Sequence, residues 1–237
     1  MIKFLRNIRH QLINEGKTSK YLKYAVGEIV LVVIGILIAL QINNWNNARL
    51  NKIAELNFYL NFKEQMIEDI HEIEGNIEYN NNYINQFKHA VQIIEKNDRS
   101  KLDSLTQISM NLTKYSDVNR QVNIYESLVN SGEIKLLKNT FIKEEIRKLE
   151  ELYIYISKME EIHRDVILNE VAMAISDNFK ILTQEVLNAD NLYTVKYQNL
   201  LIIILGIMSE KDEVYHKSLA EIQTIIKYID EEIDYGD

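Results

Sequence analysis

The sequence predicts an all-α protein: an N-terminal transmembrane helix that continues into an elongated antiparallel helical bundle. Three observations predict it. The 237 residues contain no proline and only seven glycines, and a chain so poor in turn residues builds long helices rather than a turn-rich sandwich or barrel. The stretch Ala25 to Ile42 reads AVGEIVLVVIGILIALQI, with Glu28 and Gln41 as its two strongly polar residues. Beyond it, apolar residues recur mostly at steps of three, four and seven, the spacing of a stripe that faces a bundle. With 46% apolar and 26% charged residues the chain is not compositionally disordered.

The elements follow in order. Residues 1–23 hold six basic side chains (Lys3, Arg6, Arg9, Lys17, Lys20, Lys23) against one acid, Glu15, a net +5. Ile2, Leu5, Ile8, Leu12 and Ile13 share one helical face, with Lys3, Arg6, Arg9 and His10 off it. That pattern fits a short basic amphipathic helix on the cytoplasmic leaflet; a disordered basic tail is the alternative, and the two readings stand side by side. Gly16 can end such a helix, and Thr18 or Ser19 can cap the next.

Residues 24–43 form the anchor. Eighteen residues from Ala25 to Ile42 span about 27 Å as a helix, close to the hydrocarbon thickness of a bilayer. A cleaved signal peptide has a shorter apolar run and a small-residue cleavage site, which Gln41-Ile42-Asn43-Asn44-Trp45 does not supply. A buried core helix would not carry so lopsided a basic flank. The positive-inside rule places residues 1–23 in the cytoplasm and residues 44–237 outside it. From residue 43 onward, 21 basic residues face 33 acidic ones, a net −12. Tyr21 and Tyr24 on one side and Trp45 on the other fit the two aromatic belts of a membrane, with a core tryptophan as the alternative for Trp45.

Within the anchor, Glu28, Gly35 and Ala39 are spaced by seven and four and fall on one stripe. Gly35-x-x-x-Ala39 is a small-x-x-x-small pattern that lets two helices approach closely. An ionisable residue inside a membrane is costly and functional by default, although Glu28 lies only about one turn from the cytoplasmic edge and can reach the headgroups. The stripe reads as a packing face for a second copy of the chain or for another inner-membrane protein.

Past the anchor no proline intervenes, so the helix can run on. Its stripe includes Ile53, Leu56, Leu60, Ile67, Ile70, Ile77, Ile84, Val91 and Ile94, broken by Lys63 and Glu74, which falls short of a pure coiled coil. Asn97-Asp98-Arg99-Ser100 ends it. Shorter helices are expected at about 103–114 and 119–131, the latter stopping at Gly132, with a turn near 133–138. A second long helix starts near Thr140, which can cap it. It carries Phe141, Ile142, Ile146, Leu149, Leu152, Ile156, Met159, Val166 and Met173 and ends near Ser176-Asp177-Asn178. Residues 177–194 are ambiguous, with a turn at Asn188-Ala189-Asp190-Asn191. A last helix runs from about 195 to 234. Its apolar run Leu200–Met208 is too short to span a membrane and is expected inside the bundle, with a strand as the lesser alternative.

Gly27 to Asn46, GEIVLVVIGILIALQINNWN, closely resembles the anchor of a bacterial family known only as a domain of unknown function. Tyr125-Glu126-Ser127-Leu128-Val129-Asn130-Ser131-Gly132 resembles that family's central Y-E-x-L-x-x-S-G pattern. The resemblance covers essentially the whole chain, and its anchor motif is the specific part. It implies a basic N-terminus, one anchor and an outer helical domain in a Gram-negative inner membrane. It implies no activity, substrate or catalytic residue. Read physically, Ser131-Gly132 is a helix stop, and Tyr125 and Leu128 share a face at a packed corner.

The absence of cysteine excludes disulfides, thiol catalysis and cysteine-ligated metals. A net charge of −8 argues against nucleic acid. No glycine-rich phosphate loop, H-E-x-x-H or G-x-S-x-G occurs. Three Glu-x-x-His pairs do occur: Glu68/His71, Glu160/His163 and Glu213/His216. Such pairs on facing helices hold two metal ions in ferritin-like bundles, because i and i+3 project from one side. Acid-rich surroundings make His71 and His216 read as wet surface; His163 alone has apolar neighbours, Met159 and Val166. The expectation is therefore no cofactor and no catalysis: a membrane-anchored scaffold or accessory subunit that binds the bilayer and a protein partner. The alternatives are a sensory input domain acting through a partner, a proton-linked accessory subunit built around Glu28, and a di-metal carboxylate enzyme.

Overall fold

A computed structural model of the chain describes residues 18–118 and 124–234. The expected basic helix of residues 1–16 lies outside them. The described chain is nearly all helical. Helix α1 runs from Thr18 to Glu95, α2 from Leu102 to Met110, α3 from Ile124 to Ser131, α4 from Thr140 to Val166, α5 from Ala172 to Asn178 and α6 from Val195 to Asp234. A π-helical turn, Ile167–Val171, joins α4 to α5. Two-residue strands, β1 (Phe179–Lys180) and β2 (Glu185–Val186), pair antiparallel, Phe179 opposite Val186. The chain divides into two compact units, Met1–Glu55 and Leu56–Asp237.

In the first unit the described residues are helical throughout, and their large apolar side chains are exposed. An 18-residue window of this stretch has a mean hydropathy of 2.6 and none of it is buried. It is long and apolar enough to cross a membrane.

The second unit is a bundle of α1 (from Leu56), α4 and α6. Lys63 pairs with Asp230 at 2.6 Å and Asn80 Nδ2 donates to the Met208 carbonyl at 2.8 Å, so α1 and α6 run antiparallel. Asn139 meets Glu232 and Tyr155 meets Glu210, so α4 and α6 are antiparallel as well. The main buried stripes step by four and three. On α6 this stripe runs Tyr197, Leu201, Ile204, Met208, Lys211, Tyr215, Ser218, Ile222, Ile225 and Ile229, with Val214 buried beside it. On α4 this stripe runs Ile142, Ile146, Leu149, Tyr153, Ile156, Glu160, His163 and, one residue past the helix end, Ile167, with Glu145, Glu150 and Met159 buried beside it. This alternation keeps one face of each helix on its neighbours, and the geometry buries whatever residue stands there.

On α1 the expected stripe is partly wrong. Ile53, Leu56, Leu60 and Ile67 are exposed, while Tyr59, Phe62, Met66 and Ile73 form the core. The two faces are about one residue apart, and packing against α4 and α6 selects the aromatic one. The core of this unit has two apolar parts. One joins Tyr59–Ile73 of α1 to Ile142–Ile156 of α4 and Val214–Ile229 of α6. The other joins Ile84–Ile94 to Ile167–Ile175 and Tyr197–Met208.

Helix ends carry their reasons. Asp98 caps the turn after α1 by accepting from Ser100 N. Gly132 ends α3 at φ +79°, a left-handed conformation natural to glycine. Asn139, not Thr140, caps α4: its side chain accepts from the Phe141 and Ile142 amides. Residues 200–208 are helical, but Ile202 and Ile203 face outward, so the apolar run is only half buried.

Candidate functional site: a polar layer across the bundle core

Between the two apolar parts of the core lies a layer of polar side chains: Asn80 from α1, Glu160 and His163 from α4, and Lys211 and Tyr215 from α6. Each stands in its helix's inward stripe, which is why the fold buries it. The segment Lys114–Val118, outside any helix or strand, reaches the layer. Lys211 Nζ donates to the Ser116 carbonyl. Val118 N donates to Glu160 Oε1 at 2.8 Å, and Tyr215 Oη donates to the same oxygen at 3.1 Å. Ser116 Oγ and Tyr215 Oη are 3.2 Å apart. Tyr115 sets its ring edge-to-face on His163, with centroids 5.9 Å apart.

Burial governs the electrostatics. It pushes the Glu160 carboxyl up to about 7, against the Val118 amide, the Lys211 ammonium and the Tyr215 hydroxyl, all of which favour the carboxylate. It lowers Lys211 to about 8, with Glu160 and Asp117 opposing. Burial, helped by the Lys211 charge, lowers His163 to about 4, so the imidazole is neutral. It raises the Tyr215 hydroxyl well above its ordinary range. Neither ring nitrogen of His163, nor Asn80 Oδ1, has a hydrogen-bond partner among the described residues. Such a group costs about 1–3 kcal/mol.

This layer can hold protons, but its groups are sealed: His163 and Lys211 have no solvent exposure. A cleft of about 270 Å3 opens beside the π turn, lined by Ile162, Asp165, Val166, Asn169 and Glu170, none of which belongs to the layer. The three Glu-x-x-His pairs do not converge. Glu68, His71, Glu213 and His216 are exposed, and only Glu160/His163 faces inward. Among the described residues no three His, Asp or Glu side chains are grouped to hold a metal ion. Sequence reasoning missed Lys211 and Tyr215, although the four-three count begun at Tyr197 runs through both.

The anchor residues stand apart from this layer. Glu28 is half-buried; Ala39, Tyr24 and Trp45 are exposed; the side chain of Tyr21 lies outside the description. A Cβ added at Gly35 would meet nothing within 4 Å, so the chain leaves this small-residue position open. Leu128 of the Tyr125–Gly132 motif is buried in the core, and the Tyr125 side chain lies outside the description.

The family model of DUF6090, a family of unknown function, matches residues 28–209. The chain belongs to this family. The DUF6090 match takes in most of the anchor, the Tyr125–Gly132 motif and, from the polar layer, Asn80, Glu160 and His163. It stops two residues short of Lys211. No curated protein matches the chain, and no solved structure does.

Proposed function

We propose that this DUF6090 protein is a membrane-anchored scaffold or accessory subunit of a bacterial inner-membrane complex, with no catalysis of its own. Residues 1–23 lie in the cytoplasm, residues 24–43 cross the membrane and residues 44–237 form a periplasmic interaction domain. One observation carries the reading. From Leu22 to Ile42 the large apolar side chains are 45–68% exposed among the described residues, and so continuous an apolar surface needs a cover. Lipid covers most of it. The Glu28, Gly35 and Ala39 stripe, with small residues and one carboxyl, suits a second helix better than lipid tails. That helix belongs to a second copy of the chain or to another membrane protein.

The test is brief crosslinking in the native membrane, purification in mild detergent and mass spectrometry of what co-purifies. A stoichiometric partner or a self-crosslinked species is expected, weakened by Gly35→Leu or Ala39→Leu. A monomeric protein with no trapped partner would end the proposal.

A further inference from the structure

In the first unit, α1 changes character at residue 43. Up to Ile42 it is apolar all round. From 43 to 53 it is two-sided: Asn44, Asn47, Asn51 and Lys52 lie on one side, and Asn46, Leu50 and Ile53 on the other. With 3.6 residues per turn, Gly35, Ala39, Ile42, Asn46, Leu50 and Ile53 fall within a sector of about 80°. The steps between them are four, three, four, four and three. The apolar side outside the bilayer therefore continues the stripe inside it, on the side that also carries Glu28.

Every residue from 43 to 53 is exposed among the described residues, with Leu50 at 50% and Ile53 at 49%. Lipid tails do not reach these two. At about 1.5 Å per residue they stand about 12 and 16 Å beyond Ile42, whereas headgroups add only about 5–8 Å to each side of the hydrocarbon core. Nor does composition hold this stretch helical. Five of its eleven residues are asparagine, a poor helix former that competes for its own backbone. A helix of this kind in water draws its stability from packing one face against a neighbour.

We infer that the face ending in Asn46, Leu50 and Ile53 packs on the same face of a second copy of this chain, as a parallel helix pair that leaves the membrane together. This pairing rests on the membrane-anchored reading and narrows its candidate partners to one. Two facts select the second copy. The anchor sets every copy at one depth and in one direction, so each presents Asn46, Leu50 and Ile53 at the same height above the bilayer. Asn46 is the polar residue in the middle of the face, and a carboxamide both donates and accepts. Opposite its own copy it closes a hydrogen-bonded pair, the device that fixes register in parallel two-stranded coils. Arg49 lies at the edge of the face, where its long side chain reaches water.

The chain contains no cysteine, so one introduced cysteine is its only thiol. Full-length protein carrying Ile42→Cys, Asn46→Cys, Leu50→Cys or Ile53→Cys on the face, or Asn44→Cys, Asn47→Cys or Asn51→Cys off it, is oxidised briefly in native membranes. A disulfide needs Cα atoms within about 7 Å of each other. The four positions on the face should give a species of twice the chain mass, and the three off it should lose that species. Leu50→Lys added to Asn46→Cys should lower its yield several-fold. All these positions except Ile42 lie outside the bilayer and all are exposed; retention in the membrane pellet and an unchanged melting temperature show that a variant is folded, and one that fails leaves the other positions to decide. Crosslinking at no position, or at all of them without the four-three period, overturns the pairing. A stoichiometric second protein crosslinked through the same face would overturn the self-pair and leave the accessory-subunit reading standing. Release of the full-length chain from the membrane would remove both.

Discussion

Two stretches of α1 carry similar loads of large apolar side chains and treat them in opposite ways. From Leu22 to Ile42 nearly every residue is apolar and the large side chains are exposed on all sides. From Tyr59 to Ile94 the apolar residues are interleaved with polar ones, and burial follows steps of three, four and seven. The difference is one of solvent. A helix apolar all round has no wet face to offer, so its cover must surround it, as a bilayer does. A helix apolar on one face needs only neighbours, and α4 and α6 provide them.

The comparison breaks most sharply at the anchor. Val33→Arg with Leu37→Arg places two guanidinium groups mid-helix, each costing about 2.5–3.5 kcal/mol on insertion scales. Most of the protein should leave the membrane pellet, while the melting temperature of the bundle should not move. The converse experiment is Leu149→Ala or Ile222→Ala. Either empties a fully packed position and should cost about 2–5 kcal/mol in unfolding, with membrane retention unchanged. A variant of either kind that affected both readouts would join what the comparison separates.

Smaller effects sharpen the picture inside the bundle. His163→Leu replaces a buried imidazole without hydrogen-bond partners by a hydrocarbon and should stabilise the bundle by about 1–3 kcal/mol at neutral pH, read by denaturant unfolding. The gain should grow in acid. His163 is held at about 4 in the folded chain against about 6.5 unfolded. Its presence therefore costs stability progressively as pH falls from 6.5 toward 4, and removing it abolishes that loss. Asn139→Ala should cost about 1 kcal/mol by stripping the α4 cap, whereas Thr140→Ala, one residue on, should cost less.

Much of this was legible in the residues. The absence of proline and the three-four spacing give the long helices, and α1 and α6 end within a residue or two of their expected limits. Those limits are set locally, by Asp98 after α1 and by the turn before Val195, as Gly132 sets the end of α3. What local signals cannot decide is which of two apolar faces a helix buries. On α1, Ile53, Leu56, Leu60 and Ile67 make as good a stripe as Tyr59, Phe62, Met66 and Ile73, and only the partner helices break the tie. The π turn at Ile167–Val171 has no counterpart in propensity; it appears where the inward stripe of α4 gains a residue to stay on the core, passing from Ile167 to Val171 and Ile175. The polar layer was half visible. His163 stood out because Met159 and Val166 flank it at helical spacing. Lys211 was hidden because a lysine reads as surface until the stripe is counted through it.

The most direct test of the account is to wash native membranes with alkaline carbonate, which strips proteins held only by contacts to other proteins. The account predicts that the full-length chain stays in the pellet and that a chain starting after residue 43 is released as a folded bundle. Full-length protein recovered in the wash would contradict it, because the apolar surface from Leu22 to Ile42 would then be covered by something other than the bilayer.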